Sequence, residues 1–297
     1  MLTSEQALER LDHLLTLAKA AGADAADAVY VGEESVAVGV RLGSLEELTR
    51  SEDEEIGIRL FLGRRSAQVS TSDLTQAALA EVVERARAMA EGAPEDPYAG
   101  LAPAGLLAQG APADLDIDDP EVAGLPPERL RAMALAAEEA ARAVAGVTNS
   151  EGGSAAAGRG RFALATSNGF RGASAGTSVS VSAAVVAGEG AAMQRDYDWH
   201  QARHLADLDS PESVGRTAGE RAVGRLDPVK VPTGQIPVFF DRRVAGSLLG
   251  HLVGAMNGAA IARGTSFLLG RGGERLFAPG ITIVDDPRRP RGLRSRA

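Results

Sequence analysis

The sequence has 297 residues, 44% of them apolar and only 4% aromatic, with a net charge of −9 and no cysteine. Its length predicts two domains or slightly more, and its apolar content excludes global disorder. The acidic balance argues against direct contact with nucleic acid or an anionic membrane; the lack of cysteine excludes disulfides, thiolate metal sites, a cysteine nucleophile and iron–sulfur clusters.

The opening residues are amphipathic and mixed in charge, without the basic, apolar and small-residue order of a signal peptide. No apolar run approaches the ~18 residues of a membrane span. A soluble cytoplasmic protein is the expectation. Thr3 and Gln6 stand at capping-box spacing, Leu8, Leu11, Leu15 and Ala18 follow at helical intervals, and Gly22 is a stop, so a helix is predicted there. Four short alternating runs, at 28–31, 36–40, 56–61 and 67–70, predict an antiparallel meander with turns at Gly43 and Gly63. A second helix is predicted from about Asp73 to Glu91, with Leu79, Val82, Val83 and Ala86 on one face.

Residues 93–126 are rich in Pro, Gly, Ala and Asp and read as a linker. Asp114, Asp116, Asp118 and Asp119 imitate the start of an EF-hand loop. Position 6 is Asp119 instead of Gly, however, and position 12 is Leu125 instead of Glu, so the run reads as a solvated acidic linker.

The order then repeats. A helix starts near Pro127, with Leu130, Met133, Ala134, Ala137 and Ala141 at helical spacing. Strand-like runs follow near Val147, at 161–166 and at 178–186, with Asn168-Gly169 predicting a type I′ hairpin turn. Ser210-Pro211-Glu212 opens another helix carrying Val214, Ala218, Ala222 and Leu226. After Pro228 and Pro232 come a strand-like run at 236–240, a helix at 244–262 dotted with Gly246, Gly250, Gly254 and Gly258, and a further strand-like run at 281–284. Glycine at that spacing predicts close approach of another backbone. The terminal arginines read as a solvated tail.

The fold class predicted is α+β, with two successive helix–antiparallel meander–helix units (1–92 and 127–227) joined by the 93–126 linker. A third segment, 228–297, looks incomplete, because about 65 residues with one helix and two strands lie near the lower limit for independent stability; the resemblance given below implies that it is the start of a β-rich carboxy-terminal domain.

Few residues offer chemistry. His200 and His204 form His-Gln-Ala-Arg-His; on a helix they would share one face, as the histidines of a zinc-binding HExxH do. The position of the general base is Gln201, which cannot take a proton from water. His251 lies among Leu248, Leu249, Leu252 and Val253, where a lone histidine reads as an interior or interface residue. Gly158-Arg159-Gly160-Arg161-Phe162-Ala163 matches a dinucleotide pattern by letters, but a strand follows where a helix N-terminus would have to meet the phosphate. Residue chemistry alone gives no complete catalytic constellation.

Several segments, in order along essentially the whole chain, resemble the TldD/PmbA family: Ser167-Asn168-Gly169-Phe170, Gly176 to Val181, Met193 to Trp199, Pro237 to Phe240, Ser266 to Leu269 and Ile281 to Pro287. In that family, the resemblance implies, the TldD branch carries a zinc HExxxH motif. The PmbA (TldE) branch lacks it and pairs with TldD in a cytoplasmic heterodimeric metalloprotease that degrades unfolded or modified peptides in a chamber. Laying Leu249 to Met256 on the zinc motif puts Gly250 and Ala255 at the histidine positions and His251 at the glutamate position.

The resemblance therefore implies a non-catalytic PmbA-branch subunit with no cofactor of its own, zinc on a TldD-type partner, and contact with a peptide substrate but not with nucleic acid or membrane. Val238, Phe239, Ile281 and Ile283 are the candidates for holding extended peptide by strand addition. The family continues beyond Asp285-Asp286-Pro287 into a large β-rich portion, so a carboxy-terminal domain truncated by roughly a third of the family's chain is expected. Two alternatives stay open: an independent metallopeptidase using His200 and His204, and a non-enzymatic gyrase-modulating binding protein, after the older family label.

Overall fold

Thr3 caps helix α1 (Ser4–Ala20) reciprocally: its hydroxyl accepts from the Gln6 amide, and its own amide donates to the Gln6 side chain. This satisfies two of the N–H groups that a helix start leaves without partners. The rest of the first half follows as β1 (Ala25–Arg41), β2 (Ser44–Leu62), β3 (Arg65–Thr71) and α2 (Gln76–Gly92). A short helix α3 (Pro120–Ala123) precedes the second half, which is α4 (Pro127–Arg142), β4 (Val147–Thr166), β5 (Arg171–Ala187), β6 (Gln194–Ala202) and α5 (Pro211–Gly224). Helices α6 (Arg242–Met256) and α7 (Gly258–Ala262) complete the order. The computed structural model describes residues 1–108 and 113–295.

Each half is thus helix, three strands, helix, as the sequence predicts. The halves do not form separate sheets. β1 pairs antiparallel with β4, giving one six-stranded antiparallel sheet in the order β3-β2-β1-β4-β5-β6. Tyr30 and Val38 share one face of β1, as Ala155 and Ala163 share one face of β4, because strand side chains alternate. Helices α1 and α2 cover one end of that face over Ala26, Ala28, Tyr30, Ile56, Ile58 and Leu60. Helices α4 and α5 cover the other end over Val38, Val40, Ala155, Val181 and Val185.

The strands are longer than the apolar runs suggest. The runs at 28–31 and 36–40 are one strand, β1, continuous through Gly32-Glu33-Glu34-Ser35. β2 begins at Ser44, and its residues 44–53 are all exposed, so no buried face imposes alternation there. The turn at Asn168-Gly169 is not type I′: Gly169 alone takes a positive φ (102°), and its amide donates to Thr166 O at 3.0 Å. A type I′ geometry occurs instead at Leu42-Gly43, with φ of 51° and 79°.

Leucine in the left-handed region is unfavourable, so that turn requires support. Glu138, only 1% exposed on α4, provides it. Its carboxylate accepts the Leu42 amide at 2.7 Å, the Gly43 amide at 2.9 Å and the Ser150 hydroxyl at 2.5 Å. Burial pushes the carboxyl pKa up, but these three donors, Ser150 foremost, outweigh it and hold Glu138 below its ordinary value.

Helices α4 and α5 pack through glycine. A Cβ on Gly215 would collide with the Ala137 carbonyl oxygen, and one on Gly219 would lie 2.7 Å from Ala141 O. Cores built from alanine rather than aromatics depend on this close approach.

The acidic run at 114–119 and the residues after it are not a free linker. Leu115, Ile117, Val122 and Leu125 are buried, and Asp118 pairs with Arg159. Nor does Arg291 belong to a free tail. The Arg291 amide donates to Leu115 O at 2.8 Å, and its guanidinium reaches Asp116 at 2.6 Å and Asp207 at 2.9 Å.

The chain divides into two compact units, Met1–Pro228 with Asp286–Ala297, and Val229–Asp285. In the second, Asn257 ends α6 and caps α7 through the Ala259 amide, splitting the single helix predicted at 244–262. The predicted strands at 236–240 and 281–284 are absent among the described residues; both segments lack regular structure, and Val238, Phe239, Ile281 and Ile283 are exposed. A strand needs a neighbour for its N–H and C=O groups, and no described residue pairs with these. A Cβ on Gly246, Gly250, Gly254 or Gly258 meets nothing within 4 Å, so the predicted close approach is not made.

Replacing Gly215 by Val should lower stability by about 1–3 kcal/mol through overpacking against α4, whereas Gly224→Ala, at an open position, should be neutral or slightly stabilising. Urea melts followed by circular dichroism read both. Glu138→Gln should cost roughly 1–3 kcal/mol at neutral pH. Because the folded pKa is depressed, the carboxylate's contribution is present above the unfolded value of 4.5 and is lost as pH falls through the folded pKa. The difference between the two proteins should therefore shrink in acid, as melts at pH 7 and pH 3 would record.

Candidate functional site

Helix α6 carries the positions that the family resemblance aligns with a zinc motif. Asp241 caps it by accepting the Arg243 amide at 2.9 Å. Gly250 and Ala255 bring no side-chain donor to this helix, and His251 is exposed. A zinc ligand must be an imidazole nitrogen, a thiolate or a carboxylate, so neither Gly250 nor Ala255 can serve.

His200 and His204 do not share a helix face. His200 lies in β6, and His204 follows the strand and opens a short 3₁₀ turn. The His200 Nδ1 accepts the Asp209 amide at 3.0 Å. The His204 Nε2 lies 2.8 Å from Asp116 O and 3.1 Å from the Asp116 carboxylate, and its Nδ1 lies 3.7 Å from Asp119. Both rings are engaged in fixing loops. Among the described residues, no three His, Cys, Asp or Glu side chains gather so as to hold a metal ion.

The richest polar junction centres on Thr177 and Arg203. β6 covers β5 only from Val179 onward. Just before that point, fully buried Thr177 donates its amide to Ile117 O at 2.9 Å and its hydroxyl to Arg203 O at 2.9 Å, and its hydroxyl accepts the Asp119 amide at 2.8 Å. Arg203 donates to three carbonyls: Thr177 at 3.1 Å, Gly292 at 3.2 Å and Leu293 at 2.5 Å. Asp119 accepts the amides of Glu121 at 2.9 Å and Leu205 at 3.0 Å. Burial raises the Asp119 pKa, but those two amides, aided by His204 and Arg291, leave it below the usual value. The junction contains no nucleophile paired with a base. Chemically it is a clamp that ties 115–119 and 291–293 to the end of the β5–β6 pairing. Sequence reading picked out the aspartate run, but not Thr177, Arg159 or Arg203, whose partners lie tens of residues away.

The fold agrees with comparison to known proteins, which places the chain among metallopeptidase-type domains. Family models match in order along the chain: PmbA/TldA metallopeptidase domain 1 over residues 26–90, the central domain over 120–226 and the C-terminal domain over 233–297. The chain belongs to the PmbA/TldD family. It is 36% identical to the metalloprotease PmbA of Escherichia coli O157:H7 over 92% of its length and 60% of that protein's. It is 32% identical to a PmbA homolog of Haemophilus influenzae over 94% of its length and 61% of that protein's. The chain thus spans about three fifths of the curated relatives it matches. Among solved structures, a candidate modulator of DNA gyrase from Bacteroides thetaiotaomicron shares the fold with a TM-score of 0.90 at 24% identity, covering 100% of this chain and 67% of that one. TldE from Thermococcus kodakarensis does so with a TM-score of 0.71 at 17% identity, covering 88% of this chain and 58% of that one. Among the described residues, no helix is long and apolar enough to cross a membrane.

Removing the Arg203 guanidinium should free the 291–295 segment without unfolding the sheet. Arg203→Ala should speed tryptic cleavage after Arg291 by roughly tenfold, equivalent to about 1.4 kcal/mol of local opening, with little change in the main urea transition.

Proposed function

We propose that this chain is a PmbA-type subunit without a zinc site of its own, acting beside a TldD-type subunit that carries the HExxxH motif in the processing of unfolded or modified peptides. The observation that carries the reading is the chemistry of α6: Gly250 and Ala255 stand where the two histidines are needed, and neither has a ligand atom. His200 and His204 offer no substitute, because their rings are committed to Asp209, Asp116 and Asp119 in separate stretches of backbone. Family membership and the metalloprotease names of the curated relatives support a role in proteolysis. On this reading zinc, held by the partner, supplies Lewis-acid chemistry, and this chain supplies scaffold and peptide contacts.

Metal content tests the first half of the proposal. The chain, exposed to zinc and then dialysed extensively, should retain close to none, and His200→Ala with His204→Ala should leave that value unchanged. About one zinc per chain, lost in the doubly substituted protein, would transfer the metal site to this subunit and overturn the reading.

A further inference from the structure

The sheet has one long uncovered edge in its first half. β3 pairs with β2 only from Ile56 to Leu62. From Ser44 to Glu55 the outer edge of β2 has no strand beside it among the described residues, and residues 44–53 are exposed. About half of the backbone N–H and C=O groups along such an edge point outward, ready for another strand. A bulge and surface charge are the usual protections. Here the bulge, at Glu46, guards only the end next to the turn, and the pairing from Glu47 to Glu55 is regular.

The charge along this edge is mainly acidic: Glu46, Glu47, Glu52, Asp53, Glu54 and Glu55 stand against Arg50, and the N-terminal ammonium of Met1 already reaches Glu52 at 3.0 Å and Glu54 at 3.7 Å. Glu33 lies opposite Asp53, and Glu34 opposite Glu52, in the β1–β2 ladder. Like charges directly opposite are destabilising. Glu33, Glu34, Asp53 and Glu55 form no ion pair among the described residues, whereas Arg41 already reaches Glu46 at 4.0 Å. On the helix-bearing face, a cavity of about 370 Å³ opens beside the same edge, lined by Glu34, Val36, Leu48, Arg50, Val122 and Leu125.

We propose that the Glu47–Glu55 edge of β2 takes an extended, lysine- or arginine-bearing peptide segment as an added strand, with one apolar side chain of that segment seated beside Leu48. Strand addition supplies affinity through main-chain hydrogen bonds and selectivity through alternate side chains. The acids at 33, 34, 53 and 55 select cationic residues; Leu48, Val122 and Leu125 select the apolar one. Pairing with a second copy is disfavoured, because antiparallel β2 edges centred on Thr49 would set Glu46 against Glu52, and edges centred on Arg50 would set Glu47 against Asp53. The inference uses only the edge, its charge and its cavity, so it stands apart from the zinc-partner reading.

The test uses the whole chain and a fluorescent decapeptide of alternating lysine and valine. Two controls accompany it: the same peptide with glutamate for lysine, and one N-methylated at alternate amides. The lysine–valine peptide should bind and slow amide exchange across 47–55. The N-methylated form should bind at least tenfold more weakly, and the glutamate form should not bind. Asp53→Lys with Glu55→Lys should weaken binding at least tenfold with an unchanged thermal melt. Equal binding of the N-methylated peptide would reduce the contact to simple charge attraction and overturn strand addition. Protection appearing elsewhere, or protection of 47–55 that rises with protein concentration alone, would overturn the site or the occupant.

Discussion

A single buried carboxylate joins the two halves of the sheet at their most demanding point. The β1–β2 hairpin turns through Leu42 and Gly43, both at positive φ, and leucine there is unfavourable. Two consecutive amides in that conformation form a small anion-binding concavity. Glu138 fills it from α4, a helix of the other half, while also taking the Ser150 hydroxyl from β4. The same helix passes Gly153 on one side and receives Gly215 and Gly219 of α5 on the other, at distances that admit no side chain. The position of α4 therefore couples the hairpin of the first half, the central β1–β4 pairing and the second helical layer. An alanine- and glycine-rich core gains little from each buried side chain, and it compensates through close backbone contact and a few fully satisfied buried polar groups.

Helices were legible because their signals are local. Thr3 with Gln6, and Ser210 with Pro211, mark starts within one turn, and the apolar spacing behind them is regular. Strands were legible only where one face is buried. The first half of β2 buries neither face, and β6 reads as Gln-Arg-Asp-Tyr-Asp-Trp-His-Gln-Ala, an alternation whose aromatic face is the exposed one. Its register explains the pattern. Asp196 and Asp198 turn toward Arg225 and Arg221 of α5, while Tyr197 and Trp199 take the opposite face and are exposed. A strand whose inward residues are charged and paired cannot be found from hydropathy, so the helix on which His200 and His204 would share a face stays open in the sequence and is a strand and turn in the structure. The clamp around Thr177 was hidden for a related reason: its hydrogen bonds connect β5 to Ile117, Asp119 and Arg203, and sequence spacing carries no trace of them.

The positions that the family resemblance lays on the zinc motif show the opposite balance. Gly250 and Ala255 needed no structure to be disqualified as zinc ligands, since the missing atoms are a property of the residue types. What the structure adds is that His200 and His204 are separately employed and that the 236–240 and 281–284 segments carry no strand pairing among the described residues. The peptide-holding role assigned to Val238, Phe239, Ile281 and Ile283 therefore lacks a sheet edge to work from among the described residues. A long uncovered edge lies on β2, in the other compact unit.

The central claim is that hydrolysis, where this chain takes part in it, depends on a second subunit. The most direct measurement is chelator-sensitive cleavage of a fluorogenic unfolded polypeptide by three samples: this chain, an HExxxH-bearing TldD-type subunit, and their mixture. The account predicts no cleavage by this chain alone, cleavage by the mixture exceeding that of the TldD-type subunit, and co-elution of the two chains. Chelator-sensitive cleavage by this chain alone would contradict it.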